Sequence, residues 1–90
     1  MKVTKIKMLV VNSQNYEEID SLYLEDTNDD GFYKKASVYD YLQKDDNNQI
    51  SVDGYPGTYL EPVLSKNDEK YVRSIKNGTV NDNLLKLPRV

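Results

Sequence analysis

The chain has 90 residues, of which 38% are hydrophobic, and carries a formal net charge of -3 at pH 7. At this length we expect one domain, residues 1–90, which buries only about two thirds of the surface that its unfolded chain exposes. The sequence contains no cysteine and no histidine, which excludes disulfide frameworks, thiolate metal sites and catalysis by histidine. A cysteine-free chain suits a reducing compartment, so we expect a cytoplasmic protein. The apolar run at residues 8–11 is too short for a signal peptide or a membrane span.

Charge is distributed unevenly along the chain. Residues 12–61 contain twelve acidic residues and only three lysines, a net charge of -9, whereas the flanks 1–11 and 62–90 each carry +3. The acidic centre would repel nucleic-acid phosphates, so nucleic acid is not the expected partner. Binding of nucleic acid through the basic flanks is an alternative if those flanks form adjacent strands.

The first predicted element is a strand at residues 2–11, because apolar and polar positions alternate there. Its apolar face would consist of Thr4, Ile6, Met8 and Val10, with Lys5 and Lys7 on the opposite face. Residues 19–25 predict a second strand. Within it Ile19 and Leu22 differ in parity, which indicates a bulge or a helical turn before the strand.

The next segment, residues 26–31 with the sequence DTNDDG, has the spacing of the first half of a calcium-binding loop. Its oxygen ligands would be Asp26, Asn28 and Asp30. A complete twelve-residue loop needs a bidentate carboxylate at its last position, which here is Ser37. We therefore expect a solvated turn in which Gly31 has a positive φ angle, with weak binding of a divalent cation as the alternative.

A short helix is predicted to begin at Ser37, whose hydroxyl can accept a hydrogen bond from the first turn, with Asp40 at the third helical position. The apolar stripe of this helix would consist of Val38, Tyr41 and Leu42. Residues 45–48 are expected to end it.

The second half of the chain predicts three strands. Ile50 and Val52 mark the first, and residues 58–65 form the next, which Pro62 would make an edge or bulged strand. Residues 70–75 predict the last strand, followed by a turn at Asn77 and Gly78. Alternation in this last strand places Tyr71, Arg73 and Ile75 on one face and Val72 and Ser74 on the other. The order strand, strand, helix, strand, strand, strand favours an α+β fold in which one short helix lies across a small antiparallel sheet of about five strands.

No short motif joins a nucleophile to a base or gathers carboxylates outside solvated loops, so we expect no enzyme, no cofactor and no small-molecule substrate. The aromatic residues are unusual, with eight tyrosines, one phenylalanine and no tryptophan. Tyrosine is enriched at protein interfaces, although half-buried strand positions also favour it. Tyr55, in the turn DGYPG, is the tyrosine that we expect to be most exposed.

Two motifs near the C-terminus are recognisable. Residues 70–74 read K-Y-V-R-S, and residues 82–88 read D-N-L-L-K-L-P. Together they resemble the end of a family of small bacterial and phage proteins known as domain of unknown function 3892. The resemblance implies an N-terminal strand, a mid-chain helix and a strand-rich second half, and it implies no activity, substrate or catalytic residue.

The second motif also has a structural interpretation from its residues alone. Asp82 can cap one helical turn, Leu84, Leu85 and Leu87 can close the open end of a small core, and Pro88 stops the turn from lengthening. Arg73 needs a carboxylate on its partly apolar face, and we expect Asp82 to supply it.

The sequence thus favours a small accessory or protein-binding module whose partner is an unidentified protein. The candidate binding residues are Tyr55, Tyr71, Arg73, Asp82 and Asn83.

Overall fold

Seven strands and one α-helix make up the protein in a computed structural model that describes residues 1–90. The strands are β1 (Lys2–Met8), β2 (Ile19–Glu25), β3 (Gly31–Lys34), β4 (Ser51–Val52), β5 (Thr58–Leu64), β6 (Lys70–Lys76) and β7 (Thr79–Asn81). The helix α1 spans Lys35–Lys44, and two 3-10 turns cover Tyr16–Glu18 and Asn83–Lys86. The predicted α+β class is confirmed.

All seven strands belong to one sheet in the order β3-β2-β1-β4-β5-β6-β7. Every neighbouring pair is antiparallel except β1 and β4, which are parallel. The prediction of about five antiparallel strands was therefore wrong in two respects: the sheet is mixed, and β3 and β7 were missed. β3 runs directly into α1 with no turn between them, and β7 has only three residues after a two-residue turn.

The first strand is shorter and less regular than its sequence pattern predicts. It ends at Met8, and Thr4 bulges out between Val3 and Lys5, so the parity of the strand changes along its length. The buried residues are consequently Val3 and Ile6, and the predicted core position Val10 is exposed. The irregularity that was predicted for the second strand is confirmed, because a 3-10 turn precedes β2 and its second residue forms another bulge opposite β1.

Helix α1 closes the inner face of the sheet. It contacts β2 and β3 on one side of the central β1 and β5 and β6 on the other, and it buries Val38 and Leu42. The helix begins at Lys35, and the capping residue Lys34 makes no side-chain hydrogen bond, so the predicted cap at Ser37 was wrong. The helix ends at Lys44, as predicted.

The position of Pro62 follows from the shortness of β4. The amide of Leu60 donates a hydrogen bond to the carbonyl of Ile50 across the β4 edge, at 2.9 Å. Pro62 has the same parity as Leu60, so its missing N–H would point beyond the end of the two-residue strand β4. The prediction that Pro62 makes β5 an edge or bulged strand was wrong, because β5 lies between β4 and β6 and pairs with β6 without a bulge. The proline is tolerated there because β4 is too short to reach it.

The core draws on both ends of the chain. Fourteen hydrophobic residues are buried, and Leu84, Leu85 and Leu87 are among them, which confirms the predicted burial of these three leucines. The C-terminal tail also pairs with β1, because Ile6 donates to the carbonyl of Pro88 and accepts from the amide of Val90, each at 3.0 Å. The tail thus covers the edge of β1 that β4 leaves unpaired.

Candidate functional site

Ser74 is the centre of a polar network on the inner face of β6. Its side chain is fully buried, and its Oγ lies 3.0 Å from the hydroxyl of Tyr16 and 3.0 Å from both the carbonyl oxygen and the Oδ1 of Asn81. The same Oγ accepts a hydrogen bond of 3.1 Å from the amide of Leu84. A hydroxyl with one hydrogen and two lone pairs is saturated by these partners. Because Ser74 is also inaccessible to solvent, it cannot meet a substrate, and its role is to join β6 to the C-terminal turn.

Tyr16 completes this network from the 3-10 turn that precedes β2. Its hydroxyl also donates to the carbonyl of Asn81, the last residue of β7. Burial raises the pKa of Tyr16 above its ordinary value, because desolvation disfavours the phenolate. The phenol is therefore neutral at physiological pH and acts as a hydrogen-bonding group.

Two predicted binding residues, Asp82 and Asn83, lie beside this network. Asn83 donates its amide to Oδ1 of Asn81 at 3.0 Å and its side-chain nitrogen to the hydroxyl of Thr58 at 3.2 Å. Asp82 makes no capping hydrogen bond, and its carboxylate lies 3.3 Å from Nζ of Lys86. The predicted capping role of Asp82 was wrong, because Asn81 supplies the oxygen that binds the first turn.

Arg73 and Tyr71 lie on the opposite, outer face of β6, as strand alternation predicts. Nε of Arg73 is 2.7 Å from Oε2 of Glu61, its direct cross-strand neighbour on β5. The predicted pair between Arg73 and Asp82 was wrong. Glu61 is already opposite Arg73 in the register of the hairpin, whereas Asp82 follows β7 and pairs within its own turn.

The side chains around this ion pair form a surface that we call the β5–β7 outer face. The register places Tyr59, Ile75 and Val80 in one row across the three strands, then Glu61 and Arg73, and then Val63 and Tyr71. Tyr59 is 40% exposed and Val80 is 45% exposed. A shallow cleft of about 330 Å³ borders the face and is lined on its other side by polar residues after α1, among them Asp46, Asn48 and Gln49. The surface is therefore an apolar patch with one central ion pair and a polar margin.

The other half of the sheet carries a different outer face, on β1 to β3. Tyr23 and Phe32 pack edge to face with ring centroids 5.0 Å apart, and Nζ of Lys5 lies 4.5 Å from the centroid of Tyr23. Lys34 pairs with Asp20 at 3.0 Å. That hydrogen bond from Lys34 is the main reason that the pKa of Asp20 is lowered. Lys5 covers the ring of Tyr23, whereas Phe32 is 43% exposed.

A third apolar surface, at residues 9–11, was missed from the sequence. Leu9, Val10 and Val11 are exposed in the turn after β1. Strand alternation had assigned these residues to β1, with Val10 in the core. Asn12 was the sequence signal against that assignment, because asparagine is one of the few residue types that readily adopt a positive φ angle in turns. In the structure Asn12 belongs to the turn and has a φ angle of 68°.

The acidic loop forms a self-contained turn. Oδ1 of Asp30 accepts hydrogen bonds from the amide and the hydroxyl of Thr27, at 2.9 and 2.8 Å. The hydrogen bond from the backbone amide is the main reason that the pKa of Asp30 is lowered. No three acidic side chains of the protein converge on a point that could hold a metal ion. Gly31 begins β3, and Asp26 has the positive φ angle that was predicted for Gly31. Weak cation binding through Asp26, Asn28 and Asp30 stays a prediction.

Tyr55 does not have the exposure that we predicted. It packs against the core and is partly buried, whereas Tyr59 and Tyr41 are exposed. The turn DGYPG folds back on the sheet. The amide of Tyr55 donates a hydrogen bond to the carbonyl of Val52, and the amide of Thr58 donates one to the carbonyl of Tyr55. Of the five predicted binding residues, Tyr71 and Arg73 alone share an open face.

The largest groove of the protein lies between α1, β3 and the acidic loop, and has a volume of about 430 Å³. Its lining is mostly apolar and contains no charged side chain: Met1, Leu24, Thr27, Tyr33, Ser37, Val38 and Tyr41.

None of the helices has the length and the apolar character needed to cross a lipid bilayer.

Comparison with known proteins places the chain in a family. Neither the curated proteins nor the solved structures include a match to this sequence. The family model described as "Protein of unknown function (DUF3892)" matches residues 2–88, which include every strand, the helix and both C-terminal motifs. The chain therefore belongs to the DUF3892 family.

Proposed function

We propose that the protein is a small, non-catalytic protein-binding module of the cytoplasm, and that it binds its partner through the β5–β7 outer face. The observation that carries this proposal is the row of Tyr59, Ile75 and Val80, which lies on the side of the sheet away from α1 with two of its members at least 40% exposed. The outer face of an antiparallel sheet is normally polar, so a contiguous apolar row there is a mark of an interaction surface.

The chemistry of the face favours a protein over a small molecule. The face is built from adjacent strands of a sheet, which gives breadth and rigidity without a deep pocket, and its two tyrosines supply large apolar area together with a hydroxyl. Its two charges, on Glu61 and Arg73, cancel each other. A phosphate-rich ligand would therefore find no net attraction at this surface.

The absence of catalysis is supported by how the polar side chains are used. Ser74, the most buried hydroxyl near the family motifs, is saturated by structural hydrogen bonds. The acidic loop binds its own backbone through Asp30. The cytoplasmic location rests on the lack of cysteine in the sequence.

The experiment that tests the proposal is quantitative affinity capture from native lysate with matched variants. The test variant combines Tyr59→Ser with Val80→Ser, and the control is Phe32→Ser, which removes a similarly exposed side chain from the other half of the same sheet. We expect the wild-type protein and the control to retain the same partner and the test variant to lose it. Melting curves establish first that all three proteins are folded. Equal capture by all three proteins would contradict the proposal.

A second candidate function, binding of single-stranded nucleic acid, is favoured by one observation on β1. Lys2, Lys5 and Lys7 project from the same face of this strand, and the exposed ring of Phe32 lies on that face two strands away, with Tyr23 between it and Lys5. Lysines that contact phosphates next to an aromatic ring that stacks on bases are the usual elements of such a site. Gel retardation that weakens steeply with salt, and weakens further in Phe32→Ser but not in Tyr59→Ser, would support this candidate over the first.

A further inference from the structure

The β5–β7 outer face has a two-fold pattern built into it. The residues that point outward from β5 are Tyr59, Glu61 and Val63, and those that point outward from β6 are Tyr71, Arg73 and Ile75. Each strand therefore presents a tyrosine, a charged residue and a β-branched residue in the same order, and the two charges have opposite sign. Because the strands are antiparallel and Glu61 lies opposite Arg73, each tyrosine lies opposite the β-branched residue of the other strand.

We infer that this face binds a second copy of the same chain, so that two sheets pack face to face in a symmetric dimer. The inference rests on the proposed function, because it assigns the partner of the surface named there. It goes further by stating which partner the surface fits.

The register of the hairpin determines how the two copies meet. A two-fold axis parallel to the strands, midway between β5 and β6 and midway between the copies, places β5 of each copy over β6 of the other. Glu61 of one copy then faces Arg73 of the other, and the same contact occurs twice, as two-fold symmetry requires. Tyr59 faces Ile75 across the interface and Val63 faces Tyr71, so the large rings pack on branched aliphatic side chains. Sheets that pack in this way lie about 10 Å apart with their strands nearly aligned.

The geometry of Arg73 supplies the specific argument for an acidic group opposite it. Arg73 binds Glu61 through Nε alone, and its terminal nitrogens Nη1 and Nη2 make no hydrogen bond within the chain. The fork of a guanidinium is suited to bind a carboxylate through two parallel hydrogen bonds, and the side chain is 35% exposed. Glu61 of the second copy would supply this missing acceptor. Each arginine would then lie between two carboxylates and each carboxylate between two arginines.

Charge reversal tests the inference directly, by sedimentation velocity over a concentration series up to about 1 mM. The wild-type protein is expected to dimerise. The single variants Glu61→Arg and Arg73→Glu each place like charges at both cross-copy contacts, and we expect each to dimerise at least about 10-fold more weakly. An equal mixture of the two variants restores both opposite-charge contacts, so a mixed dimer should form at concentrations where each variant alone is monomeric.

The double variant Glu61→Arg with Arg73→Glu covers the case in which a single variant does not fold, because it keeps the ion pair within the chain. We expect it to dimerise with itself. It should not mix with the wild-type protein, since each contact between the two would join like charges. Fluorescence energy transfer between labelled chains measures this mixing, and Phe32→Ser, which alters the other half of the sheet, should behave as the wild-type protein does.

The outcomes separate this inference from the proposed function. A wild-type protein that stays monomeric up to about 1 mM, or free mixing of the double variant with wild-type chains, would overturn the dimer. The proposed function would then still stand if Tyr59→Ser with Val80→Ser loses a foreign protein partner in the capture experiment. Loss of dimerisation in that same variant, with no foreign partner found, would support the second copy as the occupant of the face.

Discussion

On its inner face β6 presents Val72 and Ser74, which are 1% and 0% exposed, whereas on its outer face it presents Tyr71, Arg73 and Ile75, which are all partly exposed. The inner residues hold the C-terminal tail, through the packing of Val72 in the core and the hydrogen bond of Ser74 to Leu84. In the register, Tyr71, Arg73 and Ile75 lie opposite Val63, Glu61 and Tyr59 of β5, and Ile75 also lies opposite Val80 of β7. Alternate residues of the motif K-Y-V-R-S therefore face opposite sides of the sheet. Its valine and serine pack and bond within the fold, and its tyrosine and arginine lie on the face to which the proposed function assigns binding.

The second motif, D-N-L-L-K-L-P, serves the fold in the same way as the inner residues of β6. Its three leucines are buried, its asparagine binds Thr58, and the carbonyl of its proline pairs with β1. If this division is correct, changes on the inner side should alter stability, and changes on the outer side should alter association with little effect on stability.

The largest effect is expected from deletion of residues 83–90. Leu84, Leu85 and Leu87 are 0%, 6% and 6% exposed, and burial of three leucines contributes roughly 5 to 9 kcal/mol. Because small domains have a total stability of about 5 to 15 kcal/mol, we expect the deletion to abolish the cooperative thermal transition measured by circular dichroism.

A shorter deletion, of residues 89–90 alone, is the control. Arg89 donates to the carbonyls of Ser13 and Leu85, and Val90 donates to Ile6, so this loss removes hydrogen bonds but no core side chain. The transition should persist at a lower midpoint. A full deletion that melts like the wild-type protein would show that the tail is not part of the folding unit.

Ser74→Ala should have the next largest effect. It leaves the amide of Leu84 without its acceptor and removes a partner from Tyr16 and Asn81, all beside the core. A buried polar group that loses its partner costs about 1 to 3 kcal/mol, and we expect urea denaturation to show a loss in that range. Ser37→Ala is the matched control, because Ser37 is exposed and caps nothing. Equal stability of the two variants would exclude Ser74 as the link between β6 and the tail.

The sequence predicted the inner and outer faces of β6 correctly but not those of β1. Alternation along residues 70–75 separated Val72 and Ser74 from Tyr71 and Arg73 correctly, because β6 is paired on both sides and has no bulge. The same rule failed in β1, where the bulge at Thr4 changes the parity and moves burial to Val3 and Ile6. A bulge depends on the partner strand, so a single strand pattern does not reveal it.

The partners of individual side chains were harder to predict than their faces. Arg73 was assigned to Asp82 because no register was available that placed Glu61 opposite it. The role of Asn81 in capping the C-terminal 3-10 turn was missed, because Asn and Asp are about equally good caps by residue type and the position of the cap depends on where β7 ends. The burial of the tail leucines could be predicted without knowing any partner, because three leucines among turn residues indicate burial by composition alone.

Tyr16→Phe should produce a smaller effect that depends on pH. The variant loses the hydrogen bonds of the hydroxyl to Ser74 and Asn81, which costs about 1 kcal/mol near neutral pH. The pKa of Tyr16 is raised in the folded protein because burial disfavours the phenolate, so the folded state holds this proton more tightly than the unfolded state does. The stability that this proton contributes is fully present below pH 10.0 and is lost as the pH rises through the folded pKa.

Denaturation curves of the wild-type protein and Tyr16→Phe at rising pH measure this difference. The wild-type protein should lose its advantage over the variant above pH 10.0, and the two curves should converge there. An advantage that is constant across this range would show that Tyr16 ionises in the folded state as readily as in the unfolded state, and that the hydroxyl is not buried with Ser74.

The smallest effect on stability is expected from the ion pair on the outer face, and it is the sharpest test of the division between the two faces of β6. Glu61 and Arg73 are both 35% exposed, so solvent screens their attraction, and such cross-strand pairs contribute less than about 1 kcal/mol. A double-mutant cycle with Glu61→Ala, Arg73→Ala and both together should therefore give a coupling energy below that value in dilute solution, where the chain is monomeric. The same variants should weaken association far more than they weaken folding, because a charge left without its partner is buried when the face is covered. If Arg73→Ala instead destabilises the monomer as much as Ser74→Ala does, the outer face is part of the folding machinery, and the binding surface must be sought at another apolar patch, of which residues 9–11 are the most exposed.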